Sequence, residues 1–560
     1  MTLNFKSAFL SFDEETLELV PDKTSSSESL YVDFTSTSES EHRRFKIFIH
    51  PKKEVVLKGF ELHFSVPITQ QTNLFYNGFQ PNHPSDTYQV SDKIPSRGWL
   101  VSKASFYQQT PSFSTKNSFH SWHYGYLGTQ EKGIFIGSLN ETTAYTGIKF
   151  DRQKQTIVIR KDIHDLQLSH SFPLLDLMIF EGKQETYFAN YFSVMDRVQL
   201  PVPLLNGWMA NKNKNGNSTK AISSFLELKE KENITADLVL IGAGYAKEVG
   251  DWLYSSDQFP EGLPPLISRL KEAGLQVGMN ISPLLCSSNS DVYKQNSDWI
   301  LKDGNDNSVT VKTASGTYYV LDAYHPGVQD SLQVFCYRVI NQWGVDLLKF
   351  DHLSLAFATA RKTKTRAQAG NDFLKMLRDS CYDCLIWASD IPLATSWPYA
   401  NYTSATSNFL ESWDTRFPLL FANENDHTAK VQLKNILHRF NHNQYGLAAN
   451  IVSLGPENKL TIAQQYTNLI INALFSNISI ISDAPDSLSP ELWSEWQLTE
   501  NWKTAKVRKI TFPEKEIGRI DFENKGKHFY ALVNFSNKEA NLNGIVLSAG
   551  ESMVLGSKKV

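Results

Sequence analysis

The chain has 560 residues, of which 41% are hydrophobic, 20% charged and 12% aromatic. That balance supports a packed core, excludes a disordered or fibrous protein, and at roughly 100–200 residues per domain leaves room for about three domains. Lys and Arg number 55 against 59 Asp and Glu, so no basic excess is available to neutralise phosphates, and composition argues against nucleic acid as a partner.

Met1 to Glu15 carries one Lys, no apolar run of leader length and the early acids Asp13, Glu14 and Glu15, so no signal peptide is expected. No stretch approaches the ~18–20 apolar residues of a spanning helix; the best, Leu469 to Ile481, is broken by Asn472, Ser476 and Asn477. No membrane association is expected. The four cysteines, Cys286, Cys336, Cys381 and Cys384, suit a reducing compartment better than a disulfide framework, which makes the cytoplasm the expected location. Cys381-Tyr-Asp-Cys384 has no second Cys/His pair at zinc-site spacing, so no metal is expected.

From Leu3 to about Val198, short β-rich runs such as Phe45 to Ile49, Glu54 to Phe64, Gly133 to Gly137 and Gln155 to Ile159 alternate with Ser, Thr, Asn and Gly turns. This predicts a many-stranded β-sandwich over 1–198. Pro201-Val202-Pro203 punctuates the boundary. Beyond it lie the buried-type strands Leu204 to Trp208, Asp237 to Ile241, Leu275 to Ile281, Asp346 to Phe350, Leu385 to Ala388 and Ile478 to Ile481. Helical spacing appears at Pro264 to Glu272, Val328 to Trp343, Ala367 to Ser380 and Lys430 to Phe440. Such alternation predicts a (β/α)8 TIM barrel over 199–500. A doubly wound sheet is the alternative, but Gly242-Ala243-Gly244 lacks a third Gly and is followed by Tyr245 and Lys247 rather than a helical apolar stripe. From about Thr504 strands return, at Arg519 to Phe522, His528 to Asn534 and Glu551 to Leu555, which predicts a small C-terminal β-sandwich over 501–560.

In a barrel the chemistry sits at the C-terminal ends of the strands. The run Gly344-Val-Asp-Leu-Leu-Lys349-Phe-Asp351-His352 is a strand ending in a cation and a carboxylate two residues apart, and the two-residue period points both the same way, toward the barrel mouth. A partly buried carboxylate held ionised by an ammonium is what a nucleophile requires. A structural ion pair capping the strand fits the same spacing.

Several further landmarks fall in order: Gly250-Asp251-Trp252, Phe259-Pro260-Glu-Gly262, Gly274-Leu275, Ser290-Asp291-Val292, Asp298-Trp299, Tyr319-Val-Leu321-Asp322, then Trp343-Gly344 and Lys349-Phe-Asp351, with Asn77-Gly78-Phe79-Gln80 upstream. On these, the stretch from Leu205 to Trp413 resembles the glycoside hydrolase family 36 alpha-galactosidases, whose clan includes family 27. The resemblance implies an N-terminal β-supersandwich, a central barrel and a C-terminal β-sandwich. It also implies a retaining hydrolase with Asp351 as covalent nucleophile, Lys349 in the sugar pocket, a carbohydrate ligand and no metal or organic cofactor. Homo-oligomerisation is compatible with such a barrel.

The departures carry equal weight. Where the family reads galactose with two adjacent aspartates, this chain has Gly242 and Ala243. Lost acceptors there cost ~1.5–3 kcal/mol per charged hydrogen bond. The family's sugar-stacking Trp is replaced by Asn280, and an ungapped count puts Ser404 at the family's Arg and Asn408 at its general acid/base Asp. An amide cannot donate that proton, a contribution worth ~10²–10⁴ in rate. Asp414 or Glu411 is a candidate relocated acid. Asp390, in Ser389-Asp390-Ile-Pro392, matches the family 27 position that reads the substituent at sugar carbon 2, or else caps the following helix. His352 is expected to face away from Asp351, because strand neighbours point to opposite faces. Trp397, Tyr399 and Tyr402 either stack on a sugar or pack their own loop. Two functions compete: an altered-pocket glycosidase with Asp351 as nucleophile, and a catalytically silent descendant that binds a glycan or a partner protein.

Overall fold

The computed structural model describes residues 3–39, 42–92, 118–129, 131–195, 200–210, 217–313, 315–406, 409–410, 412–414, 428–455, 458–484, 487, 493–497 and 501–556. The chain divides into two compact units, Met1–Val198 with Ala356–Leu374, and Gln199–Leu355 with Lys375–Val560.

Among the described residues the first unit has two antiparallel sheets, one of seven strands and one of eight. Alternation drives it: in Val55–Ser65 the residues Phe60, Leu62 and Phe64 are buried while their neighbours are not, and in Leu30–Ser38 Leu30, Val32 and Phe34 turn inward. Side chains of both sheets, among them Leu10, Leu62, Ile159, Val32, Ile47 and Leu177, form one apolar core. An aromatic cluster of Phe75, Tyr124, Phe135, Tyr187 and Tyr191 seats the helix Tyr187–Val194 on the eight-stranded sheet. Within this unit a buried ammonium, Lys161, lies 3.9 Å from the Glu141 carboxylate and donates to Thr146 Oγ1 at 2.8 Å. Burial, only partly offset by Glu141, pushes Lys161 down to about 8.

The second unit holds a parallel sheet whose strands follow chain order: Leu205–Ala210, Leu238–Ile241, Gln276–Ile281, Leu347–Phe350, Leu385–Ala388, Tyr402–Ser404 and Leu447–Ala448 on one side, with Ile478–Ile481 and Ile451–Val452 beyond the first strand. The last segment on one edge, Leu447–Ala448, and the last on the other, Ile451–Val452, are separated in the chain only by Ala449 and Asn450. The two edges therefore meet, and these segments act as one split seventh strand that closes an eight-stranded barrel. Its interior is filled by Met209, Leu238, Leu240, Leu347, Trp387, Tyr402, Ile451 and Ile480.

Helices Thr219–Lys231, Pro264–Glu272, Pro326–Tyr337, Arg366–Cys381, Ala429–His438 and Ile462–Phe475 alternate with the strands. Their ends are marked locally: Pro264 opens one, Gly274 follows it at φ +76, and Thr461 with Gln464 forms a capping box on another. After the fifth strand the chain makes only the single turn Leu393–Ser396. The four-stranded antiparallel sheet of Lys506–Glu514, Ile517–Asn524, Lys527–Asn534 and Ser552–Gly556 shares an apolar cluster with the last two barrel helices, in which Ile520, Phe522 and Val533 meet Leu433, Ile436, Ile470 and Leu474. That continuous cluster is why the C-terminal strands and the barrel fall in one compact unit.

Candidate active site

Strand register sets the site. Asn280, Lys349 and Trp387 are paired across the third, fourth and fifth barrel strands, so one rung carries an amide, an ammonium and an indole. Leu347 fills the barrel interior, and the two-residue period turns Lys349 and Asp351 to the same side. Lys349, fully buried, donates to Asp351 Oδ1 and lies 5.1 Å from the centre of the Trp387 ring. Asn280 Nδ2 donates to Asp351 Oδ2 at 3.0 Å, while Asn280 Oδ1 is buried with no donor among the described residues. Both oxygens of Asp351 are thus held by nitrogen donors. Burial, the largest influence, opposes ionisation of Asp351; the charges of Lys349 and His352 and the hydrogen bonds from Lys349 and Asn280 outweigh it and hold the carboxyl below the usual carboxylate range.

One residue further on, regular strand geometry ends. His352 adopts a left-handed φ of +59, and its Nδ1 meets Ser282 Oγ at 2.9 Å. Ser282 is the first residue beyond the strand Gln276–Ile281. The extended run thus ends at His352, where the backbone turns left-handed and strand alternation no longer applies. Asp390 also has a left-handed φ, +58, and its Oδ2 accepts from the His352 amide at 3.1 Å. The turn Leu393–Ser396 receives no side-chain cap, so Asp390 holds the loop after the fourth strand rather than the helix after the fifth.

A Cβ on Gly242 would lie 2.6 Å from the Ala210 carbonyl oxygen, and that backbone is further fixed by Asn217 Nδ2 donating to Gly242 O at 2.9 Å. No side chain fits there without displacing the first two strands. Ala243 opens the one-turn segment Ala243–Tyr245. Asp251 accepts from the amides of Asp291 and Val292 at 3.0 and 3.2 Å, a scaffold role. Ser404 accepts from Trp387 Nε1 at 2.9 Å and pairs with Ser389 Oγ at 2.7 Å, holding the indole that backs Lys349. Asn408 and Glu411 lie outside the described residues.

Asp414 accepts from Asn537 Nδ2 on the C-terminal β-domain, and its neighbour Trp413 stacks on Phe535. Trp397 stacks on Tyr445, and Tyr402 donates to the Pro203 carbonyl at 2.6 Å; both are packing residues. The sequence reading also passed over Asp483, just past the last barrel strand. This fully buried carboxylate accepts from Ser453 Oγ and the amides of Leu454 and Gly455 at 2.6–2.7 Å. Its position at a strand end was the available signal. Among the described residues no cluster of His, Cys, Asp and Glu has metal-binding geometry.

Comparison with known proteins agrees with this architecture. The Melibiase family model matches residues 243–382. Probable alpha-galactosidase G of Emericella nidulans is 27% identical over 111 residues, 19% of this chain and 15% of that protein. Alpha-galactosidase AgaA of Geobacillus stearothermophilus is 36% identical over 55 residues, 10% of this chain and 8% of that protein. These matches span well under two thirds of either relative. The fold likeness is far more extensive. TtGalA, the Thermus thermophilus alpha-galactosidase solved with stachyose, superposes with a TM-score of 0.67 at 17% identity over 88% of this chain and 99% of that one. The family 36 enzyme AgaA of Geobacillus stearothermophilus gives 0.64 at 13% identity, over 99% of this chain and 86% of that one.

Proposed function

The chain is a family 36 alpha-galactosidase-like protein, and from that premise we propose that it is a retaining α-glycosidase with Asp351 as nucleophile and a sugar pocket altered from the galactose-reading one. The observation that carries the reading is the state of Asp351: a buried carboxylate held ionised by Lys349 and Asn280 at the end of a barrel strand. Such a group is poised to attack an anomeric carbon, because the donors that keep it anionic are already in place and need no reorganisation. Asn280 Oδ1, which has no donor among the described residues, is an acceptor for a sugar hydroxyl beside it. The alteration of the pocket rests on Gly242 and Ala243, which offer no carboxylate where the resemblance places two, so specificity departs from plain galactose. The free thiols Cys286, Cys336, Cys381 and Cys384 fit a reducing compartment.

The test is turnover of a panel of activated aryl α-glycosides by the wild type and by Asp351→Ala, with and without azide. The expected result is release of the aryl alcohol by the wild type, its loss in the variant, and partial return with azide, which attacks from the face the carboxylate vacated. Absence of Asp351-dependent release across the panel contradicts it. The second reading, a silent glycan-binding descendant, is favoured by the closed Gly242 position; it requires glycan binding that is unchanged by Asp351→Asn and no turnover of any glycoside.

A further inference from the structure

Resting on the reading of Asp351 as nucleophile, we propose that Trp387 is a positioning residue whose ring face carries the Lys349 charge while Asp351 is esterified. The ammonium is fully buried, and among the described residues Asp351 Oδ1 is its single hydrogen-bond acceptor. An ammonium has three donors and is costly to bury unless its charge is met. What else meets it is the Trp387 ring, whose centre lies 5.1 Å from Nζ. That is within the reach at which the negative face of an indole attracts a cation, and the attraction is strongest where water is excluded.

The indole is held in this pose from its edge. Lys349 and Trp387 are paired across the fourth and fifth strands, and Trp387 is buried. Its Nε1 donates to Ser404 Oγ at 2.9 Å, and Ser404 Oγ meets Ser389 Oγ at 2.7 Å, both serines being buried. The N–H edge of the ring is thus fixed by the sixth strand, and its face is turned to the ammonium on the fourth.

The role follows from charge. While Asp351 is a carboxylate, it and Lys349 form a neutral pair. As one Asp351 oxygen bonds to the anomeric carbon, an activated leaving group departs with the bonding electrons as its anion, and Lys349 keeps its proton. The carboxylate charge is lost, so the pair carries one net positive charge in a buried place. A ring quadrupole acts weakly on a neutral pair and strongly on a net cation. The indole therefore stabilises the ester, and the transition state that leads to it, more than the resting site, which is the condition for raising a rate. Water then displaces the ester oxygen, giving the free sugar, the Asp351 carboxylate and a proton released to solvent, and the neutral pair returns.

The experiment replaces Trp387 alone with mono-, di- and trifluorotryptophan, which withdraw electron density from the ring face and change its packing little, beside Trp387→Phe and Trp387→Leu. With the dinitrophenyl α-glycoside of the sugar selected by the aryl panel, kcat/KM reads formation of the ester. Reactivation after trapping with a fluorinated α-glycosyl fluoride reads its hydrolysis. The expected result is a stepwise fall in kcat/KM with added fluorine, about 3–30-fold in all, while hydrolysis of the ester is not slowed. Trp387→Phe, which keeps a ring face, lies between wild type and Trp387→Leu. The fluorinated series decides the matter even where Trp387→Leu fails to fold. A ring that only fills space leaves that series flat or slows both steps together, and either result overturns the proposal. Wild type without Asp351-dependent release of dinitrophenol instead overturns the reading of Asp351, and this inference with it.

Discussion

Asp351 is the residue on which the proposed chemistry turns, and its ionisation is a contest of opposing influences. Burial favours the neutral acid; the Lys349 ammonium, the field of His352 and the Asn280 amide favour the anion and prevail. Because the folded carboxyl lies below its unfolded value, the stability it contributes is complete above the ordinary carboxylate range and is lost as pH falls through the lower folded value. The acid limb of glycoside turnover is accordingly expected below the range of an exposed aspartate. A limb at or above that range, measured in kcat/KM across pH, contradicts this account of the charge balance. At Gly242 the obstacle is steric. Gly242→Asp is expected to lower stability by about 1–3 kcal/mol, as overpacking does, because its Cβ meets the Ala210 carbonyl oxygen at 2.6 Å, and to leave galactoside turnover no higher. Thermal denaturation alongside an aryl galactoside assay checks both; a fully stable Gly242→Asp with raised galactosidase activity contradicts the steric argument. Lys349 and Asp351 were legible in the sequence because extended geometry repeats every two residues. The left-handed turn at His352 was not, because a single residue of that conformation at a strand end leaves the apolar pattern unaltered.

At the scale of elements, pattern length decides what can be read. The fourth barrel strand announces itself by its apolar run, whereas Tyr402–Ser404, Leu447–Ala448 and Ile451–Val452 are two or three residues long and flanked by polar Thr406 and Asn450, too short for any periodicity. Their place is fixed by pairing with neighbouring strands. The helix Arg366–Cys381 was legible from its spacing; that Ala356–Leu374 joins the first compact unit was not, because the contacts that decide it, such as Arg366 with Asp162 at 2.7 Å and Thr365 with the Thr143 carbonyl at 2.6 Å, link residues some 200 positions apart. In the first unit the strand Thr156–Lys161 ends in the buried Lys161, set against Glu141. Removing one member of such a pair leaves an uncompensated charge, so Lys161→Met is expected to destabilise the unit by about 3–5 kcal/mol, with Glu141→Gln added to it recovering most of the loss. The sign of the pH dependence is set by the depressed folded value near 8 against 10.5 unfolded. Below 8 both states hold the proton and the burial penalty is complete; between the two values the unfolded state holds more protons and stability rises with pH. Chemical denaturation of wild type and variants from neutral pH to about 10 measures both effects, and an equal pH slope in wild type and Lys161→Met contradicts the assignment to Lys161.

Across the whole molecule, the architecture is conserved with alpha-galactosidases where sequence identity is not: a TM-score of 0.67 accompanies 17% identity over nearly the full length of the Thermus enzyme. A fold of this kind constrains where chemistry occurs and leaves open which chemistry. The strand-end rule of barrels points to the candidate site, where Lys349 and Asn280 hold the Asp351 carboxylate by hydrogen bonds. At two further candidate positions, a side chain at Gly242 would meet the Ala210 carbonyl oxygen, and Ser404 holds the Trp387 indole. The central claim is therefore covalent catalysis by Asp351, and the most direct measurement is trapping. Intact-protein mass spectrometry after incubation with a fluorinated α-glycosyl fluoride, which forms the ester and hydrolyses it slowly, is expected to show one added glycosyl unit, mapped by peptide analysis to Asp351 and absent from Asp351→Ala. No adduct with any sugar of the panel, or an adduct that persists in Asp351→Ala, would contradict it.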